Sequence, residues 1–179
     1  LSLLDLYIGI YKLCQKKWLK MSKIKVIDNF LEDNDFKNIQ NHLMGDYFPW
    51  YYNKNMTLNK DNNLYFTHAF YLTPTNISNH FYLFENMINK FKYKSLLRIK
   101  GNLYVGEKEK TKHKDHTDYD FKHKGCIFYI NNNNGETYFG KEKVLPVANR
   151  VVFFDPSTKH SSSSCNDSNI RITINFNYF

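Results

Sequence analysis

Residues 126–154 read CIFYINNNNGETYFGKEKVLPVANRVVFF. Short runs of β-branched and aromatic residues alternate here with turn clusters that contain Asn, Gly or Pro. Such runs predict strands joined by short turns. The pattern extends in both directions and predicts strands over residues 96–105, 126–130, 137–139, 143–147, 150–154 and 170–176. This close spacing favours a sandwich or barrel over parallel strands with crossover helices.

The first half of the chain predicts helices as well as strands. Residues 24–27 and 64–72 alternate like strands, and residues 45–52 form an aromatic loop around a proline. Apolar residues recur at helical spacing from Phe36 to Leu43 and from Phe81 to Phe91. We expect both amphipathic helices to cover one sheet, so the predicted fold class is mainly β with flanking helices.

Size and composition predict one folded domain. The chain has 179 residues, of which 42% are hydrophobic and 17% aromatic, which excludes a disordered polymer. Residues 1–20 carry an apolar stretch before a lysine cluster, which is neither the order of a secretory signal nor long enough for a membrane span. We therefore expect residues 1–20 to be an N-terminal extension or upstream sequence, and residues 21–179 to be a single domain.

Cysteine usage and charge narrow the setting and the partners. Three cysteines without a paired short spacing indicate neither a disulfide framework nor a thiolate zinc site, so a reducing, cytoplasmic location is expected. The net charge is +8, but of 25 basic residues only Arg98, Arg150 and Arg171 are arginines. Specific nucleic-acid recognition relies on the planar guanidinium. A nucleic-acid partner is therefore not expected, and neither is a membrane.

One constellation in the second half predicts a metal site. His116 and Asp118 are two residues apart, so both side chains point to the same face at the end of a strand. A distant strand would supply His160 as a third ligand. Two histidines and one carboxylate on one face of an ion leave positions open, the arrangement that suits non-haem Fe(II). Each residue alone would be unremarkable, and the joint occurrence carries the prediction.

Arg171 predicts an anion site beside that metal. It precedes Ile172 and Thr173 on the predicted last strand, and no acidic residue neighbours it in sequence after Asp167. A buried guanidinium needs a partner. A bound dicarboxylate would satisfy it bidentately, with the Thr173 hydroxyl as a further donor.

Three segments carry a resemblance to a known family: HTDYDFKHKGCIFYINNNNGETYF (116–139), VANRVVFFDPSTKH (147–160) and RITINFNY (171–178). They resemble the Fe(II)/2-oxoglutarate-dependent dioxygenases, in particular the prolyl 4-hydroxylase-like branch with its small phage and marine microbial members. The resemblance runs from about residue 24 to the C-terminus. Its motifs are specific in combination: His-x-Asp, a Gly135-x-Thr137-x-Phe139 segment, a distal His, and an Arg before the last strand. It implies a double-stranded β-helix core, that is, a jelly-roll or cupin-like core.

The resemblance implies that His116, Asp118 and His160 bind Fe(II). A second His-x-Asp pair, His113 and Asp115, lies immediately upstream, and only one pair can be used. The stretch HTDYDF leading into KGCIFYIN is more similar to the small family members, which favours the downstream pair.

The resemblance also implies a cosubstrate site for 2-oxoglutarate. Arg171 would pair with its C5 carboxylate, and Thr173 would assist from two residues further on. Tyr129, in the segment IFYIN, matches a tyrosine that reaches the same carboxylate in related hydroxylases. Tyr104, in the segment NLY, matches one near the C1 end.

The remaining ring-bearing residues have structural interpretations. His113 and His123 are expected on the surface of a lysine-rich loop. Residues 50–52 (WYY) form either a packed aromatic cluster or a substrate-facing lid. Three further histidines are expected to be ordinary hydrogen-bonded side chains: His42, His68 and His80.

The implied activity is hydroxylation of an unactivated C–H bond with O2. Ascorbate would serve as an accessory reductant. Halogenating relatives replace the carboxylate ligand with a small residue, so Asp118 favours hydroxylation. Base-demethylating relatives typically carry a second Arg six residues after the first, where this chain has Asn177. A peptidyl, prolyl-like residue or a small amino-acid-type compound is the expected substrate. The alternatives are a cupin-like Zn or Mn protein or isomerase, a nucleic-acid-directed dioxygenase, and a basic nucleic-acid-binding protein.

Overall fold

The computed structural model describes residues 24–54, 65–74 and 76–179, so the predicted N-terminal extension lies outside the described residues. The strands of these residues form two antiparallel sheets, one of eight strands and one of three. The helices and strands are β1 (Lys25–Ile27), α1 (Asp33–Met44), β2 (Tyr51–Asn53), β3 (Tyr65–Leu72), β4 (Asn76–Ile77), a 3-10 helix (Phe81–Phe84), α2 (Glu85–Asn89), β5 (Leu96–Val105), β6 (Lys124–Tyr129), β7 (Thr137–Phe139), β8 (Glu142–Val144), β9 (Arg150–Phe154), β10 (Ser161–Ser162) and β11 (Ile170–Tyr178).

The strand order explains how sequence-distant segments meet. The large sheet runs β1-β9-β6-β11-β5-β3-β2, with β4 paired to β3, and the small sheet runs β10-β7-β8. The last strand, β11, therefore lies in the middle, between β6 and β5. Two antiparallel sheets with such crossovers match a jelly-roll, so the predicted mainly β, double-stranded β-helix fold with flanking helices is confirmed.

Strand β11 has one apolar and one polar face because its side chains alternate. Ile172, Ile174 and Phe176 are fully buried in the main hydrophobic core. The intervening residues point the other way and pair in register with the polar residues of β5. We call this set the polar face: Arg171, Thr173, Asn175 and Asn177 on β11, with Tyr104, Asn102, Lys100 and Arg98 opposite them.

The helices close the apolar side of the large sheet. Helix α1 has acidic residues in its first turn, where their charge interacts favourably with the positive end of the helix dipole. The helix buries Phe36, Ile39 and Leu43. Burial of each such side chain stabilises the fold by about 1.5–3 kcal/mol. The second predicted helix is instead a 3-10 turn followed by the short α2, and this lets the adjacent Leu83 and Phe84 both enter the core.

Three local predictions differ from the structure. The strand predicted over residues 143–147 ends at Val144, just before Leu145 and Pro146. Part of the predicted aromatic loop is strand β2, and β10 lies in a serine run that has no strand-like pattern. Among the described helices, none has the length and apolar character needed to span a bilayer.

Candidate metal centre

Main-chain hydrogen bonds hold the two candidate histidine ligands together. His116 and His160 form an isolated antiparallel bridge, in which each N–H donates to the other residue's carbonyl at 2.9 Å. The Asp118 N–H donates to the Pro156 carbonyl at 3.0 Å, which anchors the carboxylate beside them. As a result, one ligand atom from each of His116, Asp118 and His160 lies within 4.8 Å of the others. Main-chain hydrogen bonds therefore contribute to this approach.

His160 presents a free nitrogen to this point. Its Nδ1 lies 2.9 Å from the Thr158 carbonyl, which only accepts, so Nδ1 carries the proton. Its Nε2 is buried and has no hydrogen-bond partner among the described residues. Burial lowers the pKa of His160, so the ring is neutral at physiological pH with its lone pair on Nε2. That is the state a metal ligand requires.

Asp118 is a buried carboxylate with two positioned donors. Arg98 Nη2 lies 2.8 Å from one oxygen, and Asn177 Nδ2 donates to the other at 2.8 Å. Burial raises the pKa of Asp118, but the Arg98 charge and the Asn177 hydrogen bond outweigh it, and the net pKa lies below its usual range. Asn177 is itself held, because its Nδ2 also donates to His123 Nε2 at 3.1 Å. The carboxylate is therefore ionised and fixed in orientation.

The upstream His-x-Asp pair does not join this cluster. His113 Nδ1 lies 2.8 Å from the Ser162 hydroxyl and its ring stacks on Tyr104. The Asp115 side chain is 52% exposed and faces Lys112 at 3.6 Å. Among the described residues, the His/Cys/Asp/Glu group that brings ligand atoms together is the downstream pair with His160.

The expected surface location of His113 and His123 is wrong. They are only 7% and 5% exposed. For His113 the reason is long-range pairing, because Lys112 bridges to Ser163 and draws this segment onto the strand after His160. His123 is buried against β11, where its Nε2 accepts from Asn177. The structural interpretation of His68 is correct, since its two ring nitrogens contact the Pro49 carbonyl and the Ser78 hydroxyl. His42 Nε2 and His80 Nδ1 lie 3.0 Å apart, so these two rings contact each other.

Arg171 forms a second polar centre on the same face. It is only 1% exposed, and its Nη2 donates to the Thr137 hydroxyl at 3.0 Å. Tyr129 donates to that hydroxyl at 2.8 Å, and burial raises the pKa of Tyr129 to about 12, so it stays protonated. Arg171 Nε and Nη1 are buried without a partner among the described residues. A buried guanidinium with two free donors is arranged to bind an anion.

The other two predicted cosubstrate residues lie close to Arg171. The Tyr104 ring centroid is 5.2 Å from the Arg171 Cζ, a cation–π contact. The Thr173 hydroxyl lies next along β11 and is 3.5 Å from Asn102 Nδ2. All four predicted cosubstrate residues are therefore on or beside the polar face.

A cavity of about 840 Å³ joins the two centres. Its lining includes the three candidate ligands, Arg171 and most of the polar face. Residues 50–52 are not among its lining residues: Trp50 donates to the Leu43 carbonyl and packs on Phe48, while Tyr51 and Tyr52 are exposed. Trp50 therefore belongs to a packed aromatic cluster and not to a substrate-facing lid. The volume is in the range of small-molecule sites.

Sequence reasoning missed the residues that position these groups. In the sequence the Gly-x-Thr-x-Phe segment stands out only as a motif, and the structure shows what its residues do. Thr137 is the shared acceptor for Arg171 and Tyr129, and a Cβ at Gly135 would lie 2.6 Å from the Arg171 Cδ. The contacts of Arg98 and Asn177 with Asp118 depend on strand register, which has no local signal in the sequence.

Substitution of Gly135 by Ala is expected to displace Arg171. Because the methyl group would overlap the middle of a buried side chain, we expect a loss of about 1–3 kcal/mol of stability and weaker 2-oxoglutarate binding. Thermal unfolding and titration with 2-oxoglutarate would measure both. Gly140→Ala is the control, because Gly140 has φ +64 and no neighbours within 4 Å: it would lose stability without a change in ligand affinity. Unchanged 2-oxoglutarate affinity in Gly135→Ala would contradict this packing argument.

No protein-family model and no curated protein matches the sequence. Solved structures do match. The viral collagen prolyl hydroxylase of Paramecium bursaria Chlorella virus-1, in a 2OG complex, has a TM-score of 0.55 at 15% identity, over 87% of this chain and 94% of that one. A prolyl hydroxylase of Trichoplax adhaerens, in complex with a hypoxia inducible factor peptide fragment, has a TM-score of 0.63 at 12% identity, over 91% and 86%.

A 2OG-Fe(II) oxygenase family oxidoreductase of Burkholderia pseudomallei has a TM-score of 0.59 at 10% identity, over 89% of this chain and 86% of that one. At such identities the likeness concerns the fold. The chain thus shares the fold of the prolyl hydroxylases and 2OG-Fe(II) oxygenases over about nine tenths of its length, with a His-x-Asp…His triad in its cavity.

Proposed function

We propose that the protein is an Fe(II)- and 2-oxoglutarate-dependent oxygenase that hydroxylates an unactivated C–H bond. One observation carries the proposal. A two-histidine, one-carboxylate cluster shares a cavity with a buried guanidinium that has two unpartnered nitrogens. The first suits Fe(II), and the second suits the far carboxylate of a small diacid.

The donor set fits the ion. His160 Nε2 is a neutral, buried and unpartnered nitrogen, and Asp118 is an ionised carboxylate. His116 completes the set from the other side of the backbone bridge. When bound, Fe(II) together with 2-oxoglutarate supplies the oxygen-activating chemistry that C–H hydroxylation needs.

The protein's own residues would bind the cosubstrate and orient the metal ligands. Arg98 and Asn177 hold Asp118 ionised and in one orientation, and Thr158 fixes the His160 tautomer. At the other end, Arg171 would hold the C5 carboxylate of 2-oxoglutarate through Nε and Nη1. Thr137 anchors its Nη2, so the guanidinium is aimed before the ligand arrives. Such pre-organisation lowers the entropic cost of binding.

Tyr129, Thr173 and Tyr104 would complete the cosubstrate site. The Tyr129 hydroxyl is protonated and reaches the Thr137 oxygen that Arg171 also uses, so it lies next to the clamp. The Thr173 hydroxyl would add a donor along β11. The Tyr104 ring, packed against the guanidinium, would exclude water from the pair and strengthen it.

The proposed substrate is a peptidyl, prolyl-like residue or a small amino-acid-type compound. Support comes from the fold: two of the similar structures are prolyl hydroxylases, and one of them is in complex with a peptide fragment. The cavity leaves room for a residue-sized group beside a small diacid.

The proposal predicts succinate formation that needs Fe(II), 2-oxoglutarate and O2 together. The purified protein would be stripped of metal, reloaded, and assayed for succinate with and without prolyl peptides, free amino acids and ascorbate. Anaerobic samples and samples loaded with Zn(II) are the controls, and both should be inactive. A protein that binds the metal but forms no succinate under any of these conditions would instead be the cupin-like binding protein.

A further inference from the structure

Lys100 is a charged residue of the cavity that the proposed mechanism does not use. It lies on the polar face of β5, between Arg98 and Asn102 and directly opposite Asn175 of β11. Its side chain lines the same cavity as the candidate ligands. It therefore faces the space where a substrate would enter.

The ammonium group of Lys100 forms no ion pair with a described residue, and Asp118 acts on it only from a distance. Its Nζ lies 5.2 Å from the Tyr65 ring centroid, a cation–π contact. The described part of the chain provides it with no hydrogen bond or ion pair beyond that contact. Burial, with a contribution from Arg98, lowers the pKa of Lys100 to about 8. The desolvation of this charge is only partly offset, by the cation–π contact and by the more distant charge of Asp118.

The two carboxylates that line the cavity, Asp115 and Asp118, form no ion pair with Lys100, and Asp115 faces Lys112 instead. Asp118 is engaged by Arg98 and Asn177 and belongs to the candidate metal cluster. Arg171 would take up the far carboxylate of 2-oxoglutarate. After the proposed metal and cosubstrate are bound, Lys100 still contributes uncompensated positive charge.

Asn175 adds a neutral donor at the same register position. Its Oδ1 accepts from Asn102 Nδ2 at 3.2 Å, so its own amide nitrogen is directed elsewhere. The Asn102 side chain is fully used, because its Oδ1 also accepts from the Tyr65 hydroxyl at 2.7 Å. Because Lys100 and Asn175 are opposite each other in the pairing of β5 with β11, an ammonium and an amide N–H on one face are available to two oxygens of one anionic group.

We propose that Lys100 and Asn175 bind a carboxylate or phosphate group of the primary substrate, so that the substrate is acidic. This inference rests on the proposed function, whose substrate class it narrows. A prolyl-like target would then carry an acidic group of its own or of a neighbouring residue.

The test uses NMR of protein with 13C-labelled lysine and 15N-labelled asparagine, loaded with redox-inert Zn(II) and 2-oxoglutarate. These ligands fill the metal cluster and the Arg171 site. Acetate and inorganic phosphate are then titrated separately, and the one that acts at lower concentration identifies the type of group. We expect saturable shifts of the Lys100 signal and the Asn175 side-chain amide. The exposed Lys92 should not respond in this way.

Two variants give the result its meaning. Lys100→Met should raise the anion concentration needed for half the Asn175 shift by at least about tenfold, because the charge is lost while the side-chain size is kept. Lys92→Met removes a charge outside the cavity and should leave that titration unchanged. Lys100 signals that move no more than those of Lys92 would overturn the inference.

A third outcome separates substrate from cosubstrate. If 2-oxoglutarate alone saturates the Lys100 shift and later acetate or phosphate adds nothing, the amine belongs to the cosubstrate and the inference is overturned. If Zn(II) and 2-oxoglutarate do not bind at all, the proposed function fails. The anion titration of the metal-free protein still decides whether Lys100 binds an oxyanion.

Discussion

His160→Ala is expected to abolish Fe(II)-dependent succinate formation while the fold persists. The substitution removes the buried Nε2, one of three converging donors, and two remaining ligands hold a divalent ion poorly. The fold persists because the bridge between residues 116 and 160 uses only main-chain atoms. Metal content, succinate yield and circular dichroism would be compared with those of the unsubstituted protein. Asp118→Ala is expected to lose activity in the same way.

The upstream His-x-Asp pair provides the matched control. Asp115→Asn alters the other aspartate of the double motif, whose side chain is half exposed, and should leave metal content unchanged. If Asp115→Asn lost the metal while His160→Ala kept it, the ligand assignment would be wrong. Full activity in His160→Ala would reject that residue as a ligand.

Arg171→Ala is expected to raise the 2-oxoglutarate concentration at half-maximal rate by at least about thirtyfold. The loss of one partner from a buried, hydrogen-bonded charge pair costs about 2–5 kcal/mol, which corresponds to that factor or more. The effect should appear in KM for 2-oxoglutarate under saturating Fe(II), with metal affinity nearly unchanged, because Arg171 contacts Thr137 rather than a candidate ligand.

A surface arginine separates this effect from a general loss of charge. Arg150 pairs with Asp28 through both Nε and Nη2 and is not among the residues that line the cavity. Arg150→Ala should lose that ion pair and leave KM for 2-oxoglutarate unchanged. If Arg171→Ala also left it unchanged, the clamp would have to be another cation of the cavity, and Lys100 would be the first to test.

Two strands were predictable from their own residues. Strand β5 has the predicted bounds 96–105, and β9 has the predicted bounds 150–154, because each is rich in aliphatic or aromatic residues and is bounded by turn-forming residues. Strands β2 and β10 were not predicted, since three or two paired residues leave no measurable period. Their pairing comes from neighbours distant in sequence, not from their own composition.

The candidate site was predictable only in part for the same reason. Its members with a distinctive residue type and spacing, such as the His-x-Asp pair and the rare Arg171, stand out in the sequence. Lys100 does not, because it is one of many lysines and only its register opposite Asn175 puts it in the cavity. In the sequence Asn177 stands out only because it is not an arginine, while its contact with Asp118 depends on the packing of β11 against the segment after His116.

The Arg98 guanidinium beside Asp118 affects how the chain would bind iron. A lone carboxylate shut away from water would oppose its own burial. Here Arg98 on β5 supplies the opposite charge, so the candidate metal site can form before a metal ion binds. A metal ion bound there would add a second positive charge to a carboxylate that is already ionised and positioned, instead of driving folding as a structural zinc does. Under iron starvation such a protein would stay folded and could bind iron later.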